Sequence, residues 1–260
     1  MPFTGAAVLT CTAAIRSGAG LVTLGIPRSV SSAVIKIKPL EVMLRPLSET
    51  KSGALSISAY KPIQEFLKQA DIVVIGPGLS QDKSTQGLVR RLVKTVDKAM
   101  VIDADGLNAL AGHLDLLRNT RITQRRNTII TPHPGEMARM LGVGVGEVQR
   151  NREKISSRFA RDYKVTVALK GRNTVVADYK GNLYINKTGN PGMASGGTGD
   201  VLTGIIAAFL GQGLDEFSAV KYAVYIHGLA ADLAVKEKTQ VSLIASDIIG
   251  KIPAAIKRCS

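Results

Sequence analysis

Short runs of β-branched and apolar residues alternate along the chain with longer segments whose apolar residues recur at helical spacing. The short runs predict strands at residues 21–26, 72–75, 100–102, 128–131 and 165–169. The longer segments predict helices at residues 5–16, 62–69, 85–95, 135–141, 147–161, 195–210, 216–235 and 246–256. This alternation indicates an α/β fold in which helices cover both faces of a mostly parallel central sheet.

Two neighbouring runs, residues 174–178 and 183–186, are separated by the polar stretch Tyr179, Lys180, Gly181 and Asn182, which is typical of a hairpin. We therefore expect antiparallel pairing at one edge of the sheet. The chain has 260 residues, of which 45% are hydrophobic, so it can bury one large core. No repeat or low-complexity linker interrupts it, and residues 1–260 are predicted to form a single domain.

The composition limits the classes of partner. Lys and Arg number 34 against 20 Asp and Glu, and the formal net charge of +14 suits an anionic ligand. The basic residues are scattered, and aromatic residues make up only 4% of the chain, so we expect no nucleic-acid binding. The first residues show no positively charged region ahead of an apolar stretch, and the sequence contains no run of 18 apolar residues. Cys11 and Cys259 lack metal-ligand spacing. These features predict a cytoplasmic protein that binds no membrane and has no metal site of its own.

Polar residues and glycines follow four of the predicted strands. In an open α/β sheet, ligands gather outside the carboxyl ends of the strands. The residues delivered to that rim are Gly76, Gly78, Asp103, Asp105, His133, Glu136, Lys170 and Gly171. Scattered surface polarity would not readily produce this convergence, so the rim is the predicted site.

The segment GNPGMASGGTGDVLTG, residues 189–204, leads directly into an apolar helix. Its glycines at 196, 197 and 199 let backbone N–H groups converge on an anion, and a helix beginning near Gly199 adds its positive end. Asp200 then lies in the first helical turn, where a general base for a hydroxyl attacking phosphorus is needed. The alternative is an ordinary first-turn acid. Neither a Walker A loop nor a GxGxxG fingerprint is present.

His133 lies between two prolines directly after a predicted strand, with Glu136 behind it at the start of a helix. The prolines fix the turn, and Glu136 can accept hydrogen bonds from backbone N–H groups there. A rigid polar residue at the rim is suited to holding a substrate, although a structural histidine is the alternative. His113 and His227 lack such a context and are expected to be structural.

Asp103 and Asp105 could be a metal pair, but both lie beyond the strand predicted at residues 100–102, so their side chains need not converge. We expect Asp103 to fix a loop and Asp105 to cap a helix that begins at Gly106. Gly76 and Gly78 allow a close approach of the backbone to a ligand, and a simple turn is the alternative.

Several segments together resemble the NAD(P)H-hydrate dehydratases of the ribokinase-like superfamily. They are TGAA from Thr4, RSGAGLV from Arg16, IGPGL from Ile75, IDADGLNAL from Ile102, TPHPGEMARML from Thr131, LKGRNTVV from Leu169 and NPGMASGGTGDVLTG from Asn190. Their order and spacing span nearly the whole chain. Glycine and aspartate loops occur throughout the superfamily, whereas PHPGE combined with KGxxT and NPGMASGGTGD points to this branch.

The resemblance implies a repair reaction on hydrated nicotinamide nucleotides, NADHX and NADPHX. An ADP or ATP, accompanied by Mg²⁺, would phosphorylate the ring hydroxyl, and phosphate would then leave to restore NADH or NADPH. Asp200 would accept the hydroxyl proton, and an anion hole would stabilise the phosphoryl group. That hole would comprise Gly196, Gly197, Thr198 and Gly199.

The resemblance also assigns binding residues. Ala6, Gly78, His133 and Asp200 would contact the hydrate. The adenine nucleotide would be held by Lys170, Gly171, Arg172, Asn173, Thr174 and Gly199. The implied assembly is a homotetramer or larger, and an NAD(P)H-hydrate epimerase is an implied functional partner.

Members of this family usually have a further strand and a glycine-bearing turn before the TGAA segment, whereas here only Met1, Pro2 and Phe3 precede it. We therefore expect the N-terminal strand of the family to be lacking, which would leave a sheet edge exposed. Three alternatives stay open at this point. They are a ribokinase-like kinase of a thiazole or pyrimidine alcohol, a catalytically silent nucleotide-binding protein, and a nucleic-acid binder supported only by the charge.

Overall fold

The computed structural model describes residues 4–118 and 127–259, which form two sheets surrounded by helices. The strands are β1 (Val22–Pro27), β2 (Val42–Leu47), β3 (Ile72–Ile75), β4 (Ala99–Ile102), β5 (Thr128–Ile130), β6 (Thr166–Leu169), β7 (Val175–Ala177) and β8 (Leu183–Ile185). The first helices are α1 (Thr4–Arg16), α2 (Ser31–Ile37), α3 (Tyr60–Leu67), α4 (Lys83–Thr95), α5 (Ala104–Leu110) and α6 (Asp115–Arg118). They are followed by α7 (Pro134–Leu141), α8 (Val145–Arg150), α9 (Arg152–Tyr163), α10 (Thr198–Gly211), α11 (Glu216–Ala234) and α12 (Ala245–Lys257).

The larger sheet has six strands in the order β3-β4-β5-β6-β7-β8. Strands β3 to β6 are parallel, while β7 pairs antiparallel with β6 and β8 pairs antiparallel with β7. The α/β class, the mostly parallel sheet and the antiparallel hairpin at its edge are therefore confirmed.

Strands β4 to β7 are buried on both faces, so they consist of nearly continuous apolar residues. Met100 and Ile102 of β4 pack on one face with the helices α4, α5, α7 and α9. Val101, which lies between them, packs on the opposite face with α10, α11 and α12. The alternation of side chains along each strand thus distributes one short run between two hydrophobic cores.

Strand β1 confirms the strand predicted at residues 21–26, but it lies outside the six-stranded sheet. It pairs in parallel with β2, and these two strands form a separate sheet. Strand β2 was not predicted because it contains Arg45 and Pro46, residues that the strand pattern disfavours. The predicted helix at residues 147–161 is divided between α8 and α9 at Asn151.

Helix α1 packs directly against α10, which begins at the glycine-rich segment. A Cβ atom on Gly204 would lie 2.2 Å from the Thr10 carbonyl oxygen, so the two backbones approach too closely for any side chain. This contact brings the first turns of α1 over the N-terminus of α10.

Among the described residues, no helix combines the length and apolar composition needed to cross a bilayer.

Candidate active site

Backbone hydrogen bonds continue beyond the ends of the central strands and hold the rim residues side by side. The Asp103 N–H donates to the Ile75 carbonyl at 3.0 Å, and the Thr131 N–H donates to the Ile102 carbonyl at 3.1 Å. The Lys170 N–H donates to the Pro132 carbonyl at 2.8 Å. The residues that follow β3, β4, β5 and β6 therefore meet at one edge of the sheet, as the strand pattern predicts.

A buried group of charged side chains lies at this edge. Lys170 Nζ is 2.6 Å from Asp103 Oδ1 and 3.9 Å from Glu136 Oε2. The side chain of Asp103 is 1% exposed and that of Lys170 is 18% exposed. Burial alone would lower the pKa of Lys170, but the Asp103 and Glu136 carboxylates outweigh it and raise the pKa above its usual value. The ammonium group therefore stays charged within the protein.

Asp103 also joins the sheet to α10. The Thr203 hydroxyl lies 2.8 Å from Asp103 Oδ2 and 3.1 Å from the Gly199 carbonyl oxygen. Asp103 thus accepts from Lys170 with one oxygen and from Thr203 with the other. It does more than fix a loop, because it links three segments of the site.

The expectation that Asp105 caps a helix beginning at Gly106 is wrong. Helix α5 begins at Ala104, its N-cap is Asp103, and the Asp103 side chain makes no capping hydrogen bond because Lys170 and Thr203 occupy it. Asp105 lies in the first turn, where its carboxylate accepts from the Ser80 N–H at 2.8 Å. The two aspartates therefore have different hydrogen-bond partners.

His133 is the N-cap of α7. Its Nδ1 accepts from the N–H groups of Gly135 at 3.0 Å and Glu136 at 3.3 Å, while Glu136 Oε2 accepts from the His133 N–H at 2.7 Å. This reciprocal capping box fixes the imidazole and leaves its proton on Nε2. About half of the side chain is exposed, so the ring is both rigid and accessible. Its contact with a substrate stays a prediction.

The glycine-rich loop ends at Gly197, the N-cap of α10, which has a φ of 89°. This positive φ favours glycine, and a Cβ atom there would also lie 2.6 Å from the end of the Leu9 side chain, which would have to move. The Thr198 hydroxyl lies 2.9 Å from the Met193 carbonyl oxygen and 3.0 Å from that of Ser195. Thr198 therefore contributes its side chain to the shape of the loop, and only its backbone N–H can serve an anion at the helix N-terminus.

An open cleft of about 540 Å³ lies between this loop and the first turns of α1. Its volume falls in the range of small-ligand sites. It is lined by Thr4, Gly5, Ala6, Leu9, Gly196, Gly197 and Asp200. The structure thus brings together Ala6 and Asp200, two of the predicted substrate residues. Gly78 lines a smaller neighbouring pocket of about 30 Å³, which shares Thr4 with the cleft.

Asp200 has an unusual protonation equilibrium. Burial raises the pKa of its carboxyl group from 3.8 to about 6, and the negative charges of Asp103 and Glu136 act in the same direction, while Lys170 opposes them. A carboxylate with a pKa this close to neutrality can accept a proton efficiently at working pH. The electrostatics therefore agree with the predicted role of a general base.

The predicted nucleotide residues fall into two groups. Lys170 projects into the ionic cluster, and a Cβ atom on Gly199 would lie 3.3 Å from its Nζ atom, so Lys170 and Gly199 are neighbours. The exposed residues Gly171, Arg172 and Asn173 continue into a turn closed by a hydrogen bond of 3.0 Å from Thr174 Oγ1 to the Gly171 carbonyl.

Sequence reasoning missed two contributors to this site. Thr203 contacts Asp103. It could have been found from the sequence, because it lies three residues after Asp200 and therefore on the same face of α10. Arg152 donates to the backbone at the end of β6, which no local pattern indicated. The pairing of Asp103 with Lys170 was likewise not predicted, although both residues were expected to lie at the same rim of the sheet.

The side chains do not fit a magnesium ion held by the protein alone. Among residues 4–118 and 127–259, no group of three His, Cys, Asp or Glu side chains could hold a metal ion. Asp103 and Glu136 already accept hydrogen bonds from Lys170, Thr203 and the His133 N–H. Mg²⁺ often binds through one or two carboxylates together with substrate phosphates, so it fits here only as the partner of a nucleotide.

The fold and the site define a ribokinase-like α/β protein in which a glycine-rich helix N-terminus lies beside a carboxylate. A solved ribokinase-like superfamily protein from Enterococcus faecalis V583 has this architecture, with a TM-score of 0.80 and 26% identity. The match covers 98% of this chain and 82% of that chain.

A family model described as NAD(P)H-hydrate dehydratase matches residues 1–254, and the chain belongs to this family. The bifunctional NAD(P)H-hydrate repair enzyme Nnr of Moorella thermoacetica is 44% identical over 98% of this chain. The chain spans about half of such bifunctional relatives, here 47%. A structure of the ADP/ATP-dependent NAD(P)H-hydrate dehydratase from Bacillus subtilis, co-crystallized with ATP/Mg²⁺ and soaked with CoA, has a TM-score of 0.81 at 33% identity. The match covers 99% of this chain and 88% of that chain. The family predicted from the motifs is therefore confirmed.

Proposed function

We propose that the protein catalyses the dehydration of NADHX and NADPHX to NADH and NADPH, driven by ADP or ATP. The observation that carries this proposal is the Asp200 carboxyl group, with a pKa raised to about 6, in a cleft beside the N-terminus of α10. Membership of the NAD(P)H-hydrate dehydratase family supports the substrate class. The relative co-crystallized with ATP/Mg²⁺ supports an adenine nucleotide with Mg²⁺ as its counterion.

Binding would precede chemistry at two adjoining surfaces. Residues 171–174 and Gly199 would hold the nucleotide, while the Lys170 ammonium would face its phosphates from the ionic cluster. Ala6 and Asp200 line the cleft in which the hydrated ring would lie. Gly78 and the fixed imidazole of His133 would contact the rest of the hydrate.

The first chemical step would transfer a phosphoryl group. Ionised Asp200 would take the proton from the ring hydroxyl, whose oxygen then attacks the terminal phosphorus, with AMP or ADP as the leaving group. The backbone N–H groups of residues 196–199 would stabilise the negative charge on the phosphoryl oxygens. In the second step, the lone pair of the ring nitrogen would expel phosphate. Loss of a proton from the neighbouring carbon would then restore the dihydronicotinamide ring.

The proposal also covers the assembly of the protein, its location and its functional partner. We propose that residues 1–260 act as one domain in a homotetramer or larger assembly in the cytoplasm. Relatives named as bifunctional repair enzymes support a functional partnership with an NAD(P)H-hydrate epimerase. A ribokinase-like alcohol kinase would use the same first step and release the phosphoester, and the family match favours the dehydratase over it.

The test is incubation of the protein with NADHX and either nucleotide while the absorbance of the reduced nicotinamide is followed. Wild type should restore this absorbance, and Asp200→Asn should lower turnover about 100-fold or more with nucleotide still bound. Asp215→Asn is the matched control, because Asp215 only caps α11 through the Ser218 N–H, and its turnover should be unchanged.

Three further outcomes are decisive. The kcat/KM of wild type should rise with pH and level off above about pH 6, where Asp200 becomes ionised. Accumulation of a phosphorylated hydrate without return of the absorbance would assign the protein to the alcohol kinases. Turnover of Asp200→Asn within about threefold of wild type would contradict the role of this carboxylate as the base.

A further inference from the structure

Arg152 lies at an electrostatically unfavourable position. It is the first residue of α9, where the positive end of the helix dipole opposes a cation. Its guanidinium group is partly buried, and this burial lowers the pKa of Arg152. Among the described residues, no carboxylate oxygen lies within the 4.0 Å that defines an ion pair with it. Helix stability therefore does not explain an arginine here.

The guanidinium instead binds backbone carbonyl groups next to the proposed nucleotide loop. Its Nη2 donates to the Leu169 carbonyl at 2.8 Å, and its Nη1 donates to the Lys170 carbonyl at 3.3 Å. Nη1 also lies 3.3 Å from Gln149 Oε1, while Nε is buried and has no hydrogen-bond partner. A partly buried cation with only neutral acceptors is costly, and a nearby anion would offset that cost.

Arg152 also restricts the first peptide of the loop. A Cβ atom on Gly171 would lie 3.0 Å from Arg152 Nη1, so the guanidinium packs against this glycine, which has a φ of 133°. In a trans peptide the carbonyl and the following N–H point in opposite directions. Because the Lys170 carbonyl faces Arg152, the Gly171 N–H faces away from α9.

We infer that Arg152 is a positioning residue for the adenine nucleotide, because it holds the backbone of Leu169 and Lys170 so that residues 171–174 present their N–H groups to the phosphates. Its uncompensated positive charge adds a second attraction for the same anion. This inference rests on the proposed nucleotide role of residues 170–174. The planar fork of an arginine can hold two successive carbonyls at once, whereas a lysine ammonium is a point charge on a flexible stem.

The test compares Arg152→Gln with wild type and with Arg158→Gln in the full chain. Arg158 is the matched control, because it lies on the same helix and its side chain is 77% exposed in a surface pair with Asp162. Dissociation constants for ADP and ATP, the KM of NADHX and kcat at saturating nucleotide are measured for each protein. Thermal unfolding without nucleotide reports on folding.

Arg152→Gln should weaken both nucleotides about tenfold or more, while kcat and the KM of NADHX stay within about twofold of wild type. A purely structural residue would lower thermal stability without this selective loss of nucleotide affinity. Arg152→Lys keeps the charge and should remain nearly as weak as Arg152→Gln, because lysine cannot hold both carbonyls. If Arg152→Gln does not fold, the Arg152→Lys comparison provides the same test.

Nucleotide affinity of Arg152→Gln equal to that of wild type would overturn the inference, as would full rescue by lysine. Failure of the wild-type protein to bind ADP or ATP would instead overturn the proposed function itself. The two failures are distinguishable because wild type is measured in the same titration.

Discussion

The rim of the six-stranded sheet is built in two different ways. The ionic half consists of Asp103, Glu136 and Lys170, whose buried side chains pair with one another before any ligand arrives. The glycine half consists of Gly76, Gly196, Gly197 and Gly199, and it includes the close approach of Gly76 to the Asp103 carbonyl group. Asp200 follows the glycine half in sequence, and its pKa is raised mainly by burial, to which the Asp103 and Glu136 carboxylates add and which the Lys170 ammonium opposes.

This difference predicts two kinds of sensitivity. In the ionic half, removal of one partner leaves a buried charge uncompensated, so the penalty is electrostatic and depends on the other partners. In the glycine half, the penalty is steric and depends on what an added atom would meet. Mutations can therefore distinguish the two halves. An electrostatic penalty in the glycine half, or a purely steric one in the ionic half, would contradict this distinction.

The largest effect is expected for Lys170→Met. Loss of the ammonium leaves the carboxylates of Asp103 and Glu136 without their shared cation, which should lower the free energy of unfolding by about 3–5 kcal/mol. Addition of Asp103→Asn should recover part of this loss, so the two substitutions should not be additive. Denaturant unfolding without nucleotide measures both values. Lys170→Met should also weaken the adenine nucleotide more than the hydrate.

Lys68→Met provides the control for this experiment. Lys68 pairs with Glu65 at 2.8 Å, but both side chains are more than two-thirds exposed, so the change should be below about 1 kcal/mol. Additive effects of Lys170→Met and Asp103→Asn would show that the buried pair is not energetically coupled.

The glycine half is tested by Gly76→Ala. A Cβ atom there would lie 1.7 Å from the Asp103 carbonyl oxygen, and the φ of 132° disfavours any residue other than glycine. The backbone must shift, which should cost about 3 kcal/mol of unfolding free energy. Gly87→Ala is the control, since its nearest neighbour is Ile57 Cδ1 at 4.0 Å and alanine favours the helix by about 0.5–1 kcal/mol. Wild-type stability of Gly76→Ala would remove the steric requirement at this rim.

The sequence predicted the parts of this site that depend on local patterns. Strand ends identify the rim, and the glycines before an apolar helix identify the anion site with Asp200 in its first turn. The contacts of Asp103 lie beyond such patterns, because its partners Lys170 and Thr203 are 67 and 100 residues away in the chain. Asp105 was misassigned as a cap for the same reason. Local capping preferences cannot reveal that α5 begins one residue earlier, after Asp103, or that the Asp103 carboxylate accepts hydrogen bonds from Lys170 and Thr203.

Tertiary pairing also explains the strand that the sequence did not predict. Strand β2 contains Arg45 and Pro46, which are unfavourable in a central strand but tolerated in a two-stranded sheet with an open edge. Its pairing with β1 and its two buried ends, Val42 and Leu47, stabilise it. Neither contribution is visible in the local sequence.

The smallest expected effect is the change with pH of the contribution that Asp200 makes to the free energy of unfolding. Its pKa is about 6 in the folded protein and 3.8 without the folded environment, so the folded state favours the protonated carboxyl group. The stability contributed by this group is fully present below about pH 4 and is lost as the pH rises through about 6. Asp200→Asn cannot ionise, so its free energy of unfolding relative to wild type should increase by about 2 kcal/mol between pH 4 and pH 7. Asp215→Asn should behave oppositely, because hydrogen bonds from Ser218 lower the pKa of Asp215, and its contribution is lost as the pH falls. Denaturant unfolding across this pH range measures both differences without nucleotide. A stability difference for Asp200→Asn that does not change with pH would mean that the folded protein does not raise the pKa of Asp200.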